Sequence, residues 1–295
     1  MSKDFGEVLT AMITPFDEQL EIDYQGVRDL ALYLIENGSD GLLVLGTTSE
    51  SPVLTKAEKI KVLENVIDVV GDKTTVIANT GSYSTSESIE MTKNAEKIGA
   101  DGIMAVVPYY NKPPQDGLYN HFKMIALSTS LPVMIYNVPG RTSRNIEAET
   151  VEKLSKIENI VAIKEASGNM GQISNLARII DDDDFYIYSG DDNYILPILS
   201  VGGHGVVSVA SHLVGKDIKK MISTFKKGNV KEAININIRL GEIFNGIFLT
   251  TNPIPVKAAL NLTGKNVGGL RPPLLELDNS KKDILKNILK RLDLI

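Results

Sequence analysis

The order of apolar runs along this chain predicts an α/β protein, a (β/α)8 TIM barrel with appended C-terminal helices. Three observations carry that expectation. Eight short β-rich runs alternate with stretches able to form helices. They occupy roughly the first 210 residues, against about 250 for a typical barrel of this kind. No run is followed by the Gly-x-Gly-x-x-Gly turn that a dinucleotide-binding open sheet, the structural rival, would need.

The expected strands are residues 8–14, 41–47, 75–79, 102–107, 133–137, 160–165, 185–189 and 205–209, each a short run rich in apolar, β-branched or aromatic residues. Between them, residues 23–37 are amphipathic, with Val27, Leu30, Ala31 and Leu34 on one face and Gly38 at the position after the helix end. Thr55-Lys56-Ala57-Glu58 has the form of a capping box opening a helix to about Val70, and Ser84-Thr85-Ser86-Glu87 that of a second, leading into residues 89–98. Beyond Ser211 no further strand is expected. Residues 216–227, 230–248, 256–262 and 280–292 read as helices punctuated by Pro253, Pro255, Pro272 and Pro273. The division expected is a barrel over 1–225 carrying the active site and a helical extension over 226–295, with no linker and no internal repeat.

Composition narrows the function. With 295 residues, 43% of them hydrophobic, the chain has ample material for a core. A net charge of −6 argues against a nucleic-acid partner, which normally meets a basic face. The chain has no cysteine, which excludes disulfides, thiolate metal sites and cysteine nucleophiles, and its three histidines are scattered. No metal is expected, and the carboxylate run at 181–184 reads as a solvated loop. No apolar run approaches the roughly 20 residues that would span a bilayer. The N-terminus shows no signal-peptide core, so a cytoplasmic protein is expected.

Lys164 is the most informative residue. The apolar run Ile160 to Ile163 leads straight into its amine, and a small-residue turn follows, as expected of a buried strand with a lysine at its C-terminal end. Burial disfavours the ammonium and leaves a neutral, nucleophilic amine of the kind that forms Schiff bases. A strand-end lysine that reaches out to solvent fits the local pattern equally well. The surroundings decide, because a barrel gathers its function at the C-terminal ends of the strands. There the sequence places Gly46-Thr47-Thr48-Ser49-Glu50, Pro108-Tyr109-Tyr110-Asn111-Lys112, Tyr136-Asn137-Val138-Pro139-Gly140-Arg141, Ser189-Gly190-Asp191-Asp192 and Gly205-Val206-Val207-Ser208. One amine, several phenols, threonine hydroxyls and an arginine suit carbonyl chemistry on a carboxylated substrate. Each has an innocent reading too: a tight turn at Thr47–Thr48, rim packing for the tyrosines, a surface arginine, and Asp191-Asp192 as a helix cap, the preferred reading there. Gly202-Gly203-His204-Gly205 lacks the Lys-Ser/Thr ending of a phosphate loop, so His204 reads as structural.

Taken together, Gly46-Thr47-Thr48-x-Glu50, Pro108-Tyr109-Tyr110-Asn111-Lys112-Pro113, Tyr136-Asn137-Val138-Pro139-x-Arg141-Thr142 and Ile163-Lys164-Glu165-Ala166-Ser167-Gly168 resemble the dihydrodipicolinate synthase branch of the family of pyruvate-dependent class I aldolases that includes N-acetylneuraminate lyase. The resemblance covers essentially the whole chain, including Asn252-Pro253-Ile254-Pro255-Val256-Lys257. It implies a lyase that joins pyruvate, held as a Lys164 Schiff base, to L-aspartate 4-semialdehyde in diaminopimelate and lysine biosynthesis. Tyr136 would move protons, with Thr47 and with Tyr110 of a neighbouring subunit. Thr48 would hold the pyruvate carboxylate and Arg141 the second substrate's carboxylate, with Gly190 and Val207 lining the imine pocket. No cofactor is implied, and a homotetramer of two tight dimers is. A regulatory pocket would involve Ser51, Lys56, Lys59, Tyr83, Glu87 and Tyr109. Lys56, Lys59 and the bulky Tyr83 depart from the lysine-inhibited pattern, so weak or absent feedback is expected. Ser49 where glycine is usual, and Asn79-Thr80-Gly81 for the commoner Gly-Thr-Gly, touch no proposed catalytic hydroxyl. The alternatives are a keto-sugar-acid aldolase or N-acetylneuraminate lyase of the same chemistry, a phosphosugar isomerase, and a non-catalytic ligand sensor.

Overall fold

The computed structural model describes residues 4–180 and 182–295. Eight parallel strands follow one another in chain order around a closed barrel. They are β1 (Val8–Ala11), β2 (Gly41–Val44), β3 (Thr75–Asn79), β4 (Gly102–Val106), β5 (Val133–Asn137), β6 (Ile160–Glu165), β7 (Tyr186–Ser189) and β8 (Gly205–Ser208). Between and after them run α1 (Tyr24–Glu36), α2 (Lys56–Val70), α3 (Thr85–Ile98), α4 (Gln115–Ala126), the short α5 (Pro139–Thr142), α6 (Ala148–Ser155), α7 (Met170–Ile179), α8 (Ile195–Leu199), α9 (Ser211–Lys226), α10 (Val230–Gly246), α11 (Ile254–Leu262) and α12 (Asn279–Arg291). The (β/α)8 barrel with trailing helices is therefore observed. By contacts the chain falls into two compact units, one of residues up to 7 and 75–207, the other of residues 8–74 and 208–295.

In the unit of residues 75–207 the strands are buried on both faces, as parallel strands covered by helices must be. All five residues of β5 and all six of β6 are buried. Their register sets Tyr136 beside Lys164 and Asn137 beside Glu165. Alternation then sends the first pair to one face of the sheet and the second pair to the other. Ser84 caps α3 by accepting the Glu87 N–H, but only half of the expected capping box forms, because the Glu87 carboxylate accepts instead from the Ser82 hydroxyl at 2.8 Å.

In the other unit α1 is capped by Asp23 and closed at Gly38, whose φ of 102° is left-handed. The α2 capping box at Thr55 and Glu58 forms in full. Strand β2 stops three residues short of expectation because Leu45 is left-handed (φ 64°) and Thr47–Ser49 closes into a 3-10 turn. Helix α9 starts five residues earlier than the periodicity suggests. Its first turn is separated from the rest by non-helical Val214, and a Cβ on the next residue, Gly215, would lie 2.4 Å from the Asn37 carbonyl oxygen. Helices α10 and α11 both pack on α12, through the buried Leu285, Ile288 and Leu289. No helix among the described residues is long and apolar enough to cross a membrane.

Candidate active site

Lys164 is 5% exposed at the end of β6. Burial lowers its pKa to about 7; the buried carboxylate of Asp192 pulls it back up and the Arg141 guanidinium pushes it further down. Near neutrality a large fraction of this amine is uncharged and nucleophilic. Its Nζ lies 4.3 Å from the centroid of the Tyr136 ring, which is itself buried. At Gly190 the backbone comes so near that a Cβ would sit 2.7 Å from the Ala166 Cβ and 3.1 Å from the Lys164 Cε. The Gly190 N–H donates to the Glu165 carbonyl at 2.8 Å, continuing the ladder between β6 and β7 past their ends. Val207 is buried in β8. Arg141 stands exposed on α5, a single turn that ends at left-handed Ser143.

The far face of β5 and β6 carries a polar cluster that the sequence reading passed over. Glu165, 1% exposed, accepts from the Asn137 side-chain amide (3.1 Å to each carboxylate oxygen), the Ser167 N–H (2.7 Å) and the Gln172 side chain (3.1 Å). Asn145 bridges Asn137 and Gln172 at 2.8 and 2.7 Å. A buried carboxylate surrounded by N–H donors is well satisfied, and here it ties together the strand residues that follow Tyr136 and Lys164. The signal was present in the pattern Tyr136-Asn137 and Lys164-Glu165, two polar residues on the wrong side of the sheet for a purely apolar layer.

The two aspartates after β7 divide their roles. Asp191 is the cap, accepting the Asn193 N–H at 2.9 Å. Asp192 is buried instead, and its charge bears on Lys164, which corrects the expectation that both cap the following turn. His204 is structural, as expected: its Nε2 is 2.9 Å from the Asp4 carboxylate and its ring packs on Tyr186 and Tyr188. Within the acidic run, Asp182 accepts the Asp184 N–H, while Asp181 lies outside the described residues. Among the described residues no group of three or more histidines and carboxylates is gathered as a metal would require.

After β4 the chain turns sharply. Tyr110 has a φ of 69° and is 92% exposed. Tyr109 meets Tyr83 edge to face at 5.3 Å, and burial, with the nearby Tyr83 and Glu87, raises its pKa. The Asn111 side chain donates to the Tyr83 carbonyl at 2.9 Å.

The loop after β2 is built within the other unit. The Thr48 hydroxyl is buried and accepts from the Asn252 side-chain amide at 2.8 Å; Thr47, beside it, is half-buried. Ser49 is held by its hydroxyl on the Met12 carbonyl (2.6 Å), while its own carbonyl accepts from Thr14 (2.8 Å). Glu50 is left-handed (φ 57°) and fully enclosed, paired to Lys257 at 2.8 Å and accepting the Arg271 N–H at 2.9 Å. Ser51 follows in a second 3-10 turn, and Lys56 and Lys59 lie at the start of α2.

Residues 4–292 match the dihydrodipicolinate synthetase family. The chain belongs to that family. It is 55% identical over 293 residues to the 4-hydroxy-tetrahydrodipicolinate synthase of Desulforamulus reducens, covering 99% of each chain. It is 54% identical over 295 residues to the enzyme of that name from Desulforudis audaxviator, covering 100% of each. Among solved structures, the dihydrodipicolinate synthase of Cyanidioschyzon merolae, determined with lysine bound, superposes with a TM-score of 0.97 at 47% identity, covering 100% of each chain. The barrel described above is thus the fold of dihydrodipicolinate synthases, and the synthase name, not that of the lyase alternative, is the one these relatives carry.

Proposed function

We propose that this chain catalyses the 4-hydroxy-tetrahydrodipicolinate synthase reaction, the condensation of pyruvate with L-aspartate 4-semialdehyde in the diaminopimelate route to lysine. The observation that carries the reading is Lys164, a buried amine with its pKa lowered to about 7, set beside the Tyr136 ring. The amine attacks the pyruvate ketone and water leaves, giving an imine. Loss of a methyl proton converts it to an enamine, whose terminal carbon bonds to the aldehyde carbon of the second substrate. The aldehyde oxygen, protonated, becomes the 4-hydroxyl. The α-amine of the second substrate then attacks the imine carbon, closing the ring and freeing Lys164. Atoms balance with one water released, and no redox partner or cofactor is needed.

Protons move through hydroxyls in this proposal. Tyr136 is the principal donor and acceptor, with Thr47 and a partner subunit's copy of Tyr110 completing the relay. The exposure of Tyr110 supports a role outside its own subunit. Thr48 holds the pyruvate carboxylate; a parallel barrel gathers the C-terminal ends of its strands at one face, and Thr47 and Thr48 follow β2 as Lys164 ends β6. Arg141 takes the carboxylate of the semialdehyde, for which a guanidinium fork is suited. Gly190 and Val207 line the imine pocket with backbone. The active barrel is residues 1–225 and the helical extension 226–295, in a cytoplasmic homotetramer of two tight dimers that takes no nucleic acid or membrane as partner.

Incubation with pyruvate and borohydride, followed by peptide mass spectrometry, tests the reading: the reduced pyruvate adduct is expected on Lys164. An unmodified Lys164 refutes it. Comparing L-aspartate 4-semialdehyde with N-acetylmannosamine as the aldehyde then separates the synthase from the sugar-acid aldolase. Ser51, Lys56, Lys59, Tyr83, Glu87 and Tyr109 form the regulatory region in this proposal, with two cationic side chains where a lysine ligand would bring its own ammonium. Feedback by L-lysine is expected to be weak or absent, and strong inhibition at sub-millimolar lysine would overturn that.

A further inference from the structure

Two buried polar contacts join the loop after β2 to the start of α11. The Asn252 Nδ2 donates to the Thr48 Oγ1 at 2.8 Å, both residues being less than a tenth exposed. Five residues on, the Lys257 Nζ donates to the Glu50 Oε1 at 2.8 Å and to the Gly269 carbonyl at 2.6 Å. Thr48 and Glu50 are two apart, Asn252 and Lys257 five apart, so the loop is held at two points and cannot slide or rotate independently of the α11 segment. The Arg271 N–H on the other Glu50 oxygen adds a third hold.

The direction of the first contact has a chemical consequence. A threonine hydroxyl has a single hydrogen and two acceptor lone pairs. Accepting from Asn252 occupies a lone pair and turns the hydroxyl hydrogen away from Asn252. We infer that Asn252 is a positioning residue of the carboxylate subsite: it keeps Thr48 as a hydrogen-bond donor, the only role in which a hydroxyl can hold an anion. This rests on the reading of Thr48 as the pyruvate carboxylate's partner. It assigns part of pyruvate recognition to the C-terminal helical segment, 204 residues further along the chain.

The test is a set of variants at the two positions, with steady-state kinetics in pyruvate and thermal melting for each. Asn252→Asp places an acceptor where the donor was, draws the Thr48 hydrogen toward itself and adds negative charge near the substrate carboxylate. The pyruvate KM is expected to rise about tenfold or more, in line with losing a hydrogen bond to a charged group, while kcat at saturating pyruvate stays within about threefold. Asn252→Ala, which preserves no donor, is expected to raise KM less, and to have no further effect in a Thr48→Val background. A uniform fall in kcat with unchanged pyruvate KM, or a KM effect of Asn252→Ala that persists undiminished in Thr48→Val, overturns the inference. If Thr48→Val raises KM and both Asn252 variants leave it unchanged, the carboxylate reading stands and only the role of Asn252 falls. If Thr48→Val itself leaves the pyruvate KM unchanged, the carboxylate reading fails and the inference with it.

Discussion

Lys164 bears two opposed demands, because the burial that makes its amine reactive also destabilises the fold. With its pKa near 7, the neutral fraction grows as pH rises, so kcat/KM for pyruvate should climb through about pH 7 and level above it. A profile flat between pH 6 and 8, taken from initial rates, would contradict this. The stability effect has a definite sign. Between about 7 and the ordinary lysine value of 10.5 the unfolded chain binds the proton that the folded chain has lost, so stability rises with pH across that window. Lys164→Met should therefore melt at a higher temperature than the parent, with the gap largest below pH 7 and shrinking above it. Gly190 sets the other residue-scale constraint. Gly190→Ala would push its Cβ against the Lys164 Cε and the Ala166 Cβ, and a misplaced amine should cost about a hundredfold in kcat. Circular dichroism should report a folded protein throughout. What the sequence could not separate at this scale was Asp191 from Asp192, adjacent and chemically identical. The 3-10 turn leaves the first half-buried as a cap and buries the second, whose charge bears on the amine.

At the scale of elements, the contact between the β2 loop and α11 depends on a buried ion pair. Lys257 and Glu50 have side chains 1% and 0% exposed, and burial lowers the lysine pKa to about 8 against the opposing pull of Glu50. Removing one member leaves a buried charge without compensation, which costs about 3–5 kcal/mol, whereas removing both charges costs far less. Lys257→Met should thus lower the unfolding free energy by that amount in denaturant titration, and adding Glu50→Gln, which keeps an acceptor for the Arg271 N–H, should recover much of it. Equal losses in the single and double variants would contradict the argument. Strand and helix identities were readable from periodicity, and β3, β5 and β6 have the bounds expected of them. The ends of β1 and β2 were less readable, because no residue type announces that Leu45 is left-handed. The Asn137–Glu165 cluster needs the β5–β6 register, which contains a shift between Val133 and Met134 and so cannot be counted off the sequence.

At the scale of the whole molecule, the proposed relay has Tyr110, 92% exposed and left-handed in its backbone, act in another subunit. Complementation tests this. Lys164→Ala and Tyr110→Phe are each expected to be nearly inactive. If the proposed relay holds, in a mixed dimer the Lys164→Ala chain would supply Tyr110 to the intact Lys164 of its partner. Co-refolding equal amounts should therefore restore about a quarter of the parent activity, since half the dimers are mixed and each has one complete site. No recovery would mean that Tyr110 acts within its own chain.

The sequence by itself determined the alternation of strands and helices, and with it the barrel, because the period of apolar residues is a local property that survives without knowledge of partners. It also determined which reactive groups lie at strand ends. Only the tertiary structure decided that burial lowers the Lys164 pKa to about 7, and which residues hold the groups around it. Desolvation depends on everything packed about an atom, and the partners of Thr48 and Glu50 come from 204 and 207 residues away. No local pattern encodes contacts at that separation; they exist only once the chain has closed on itself.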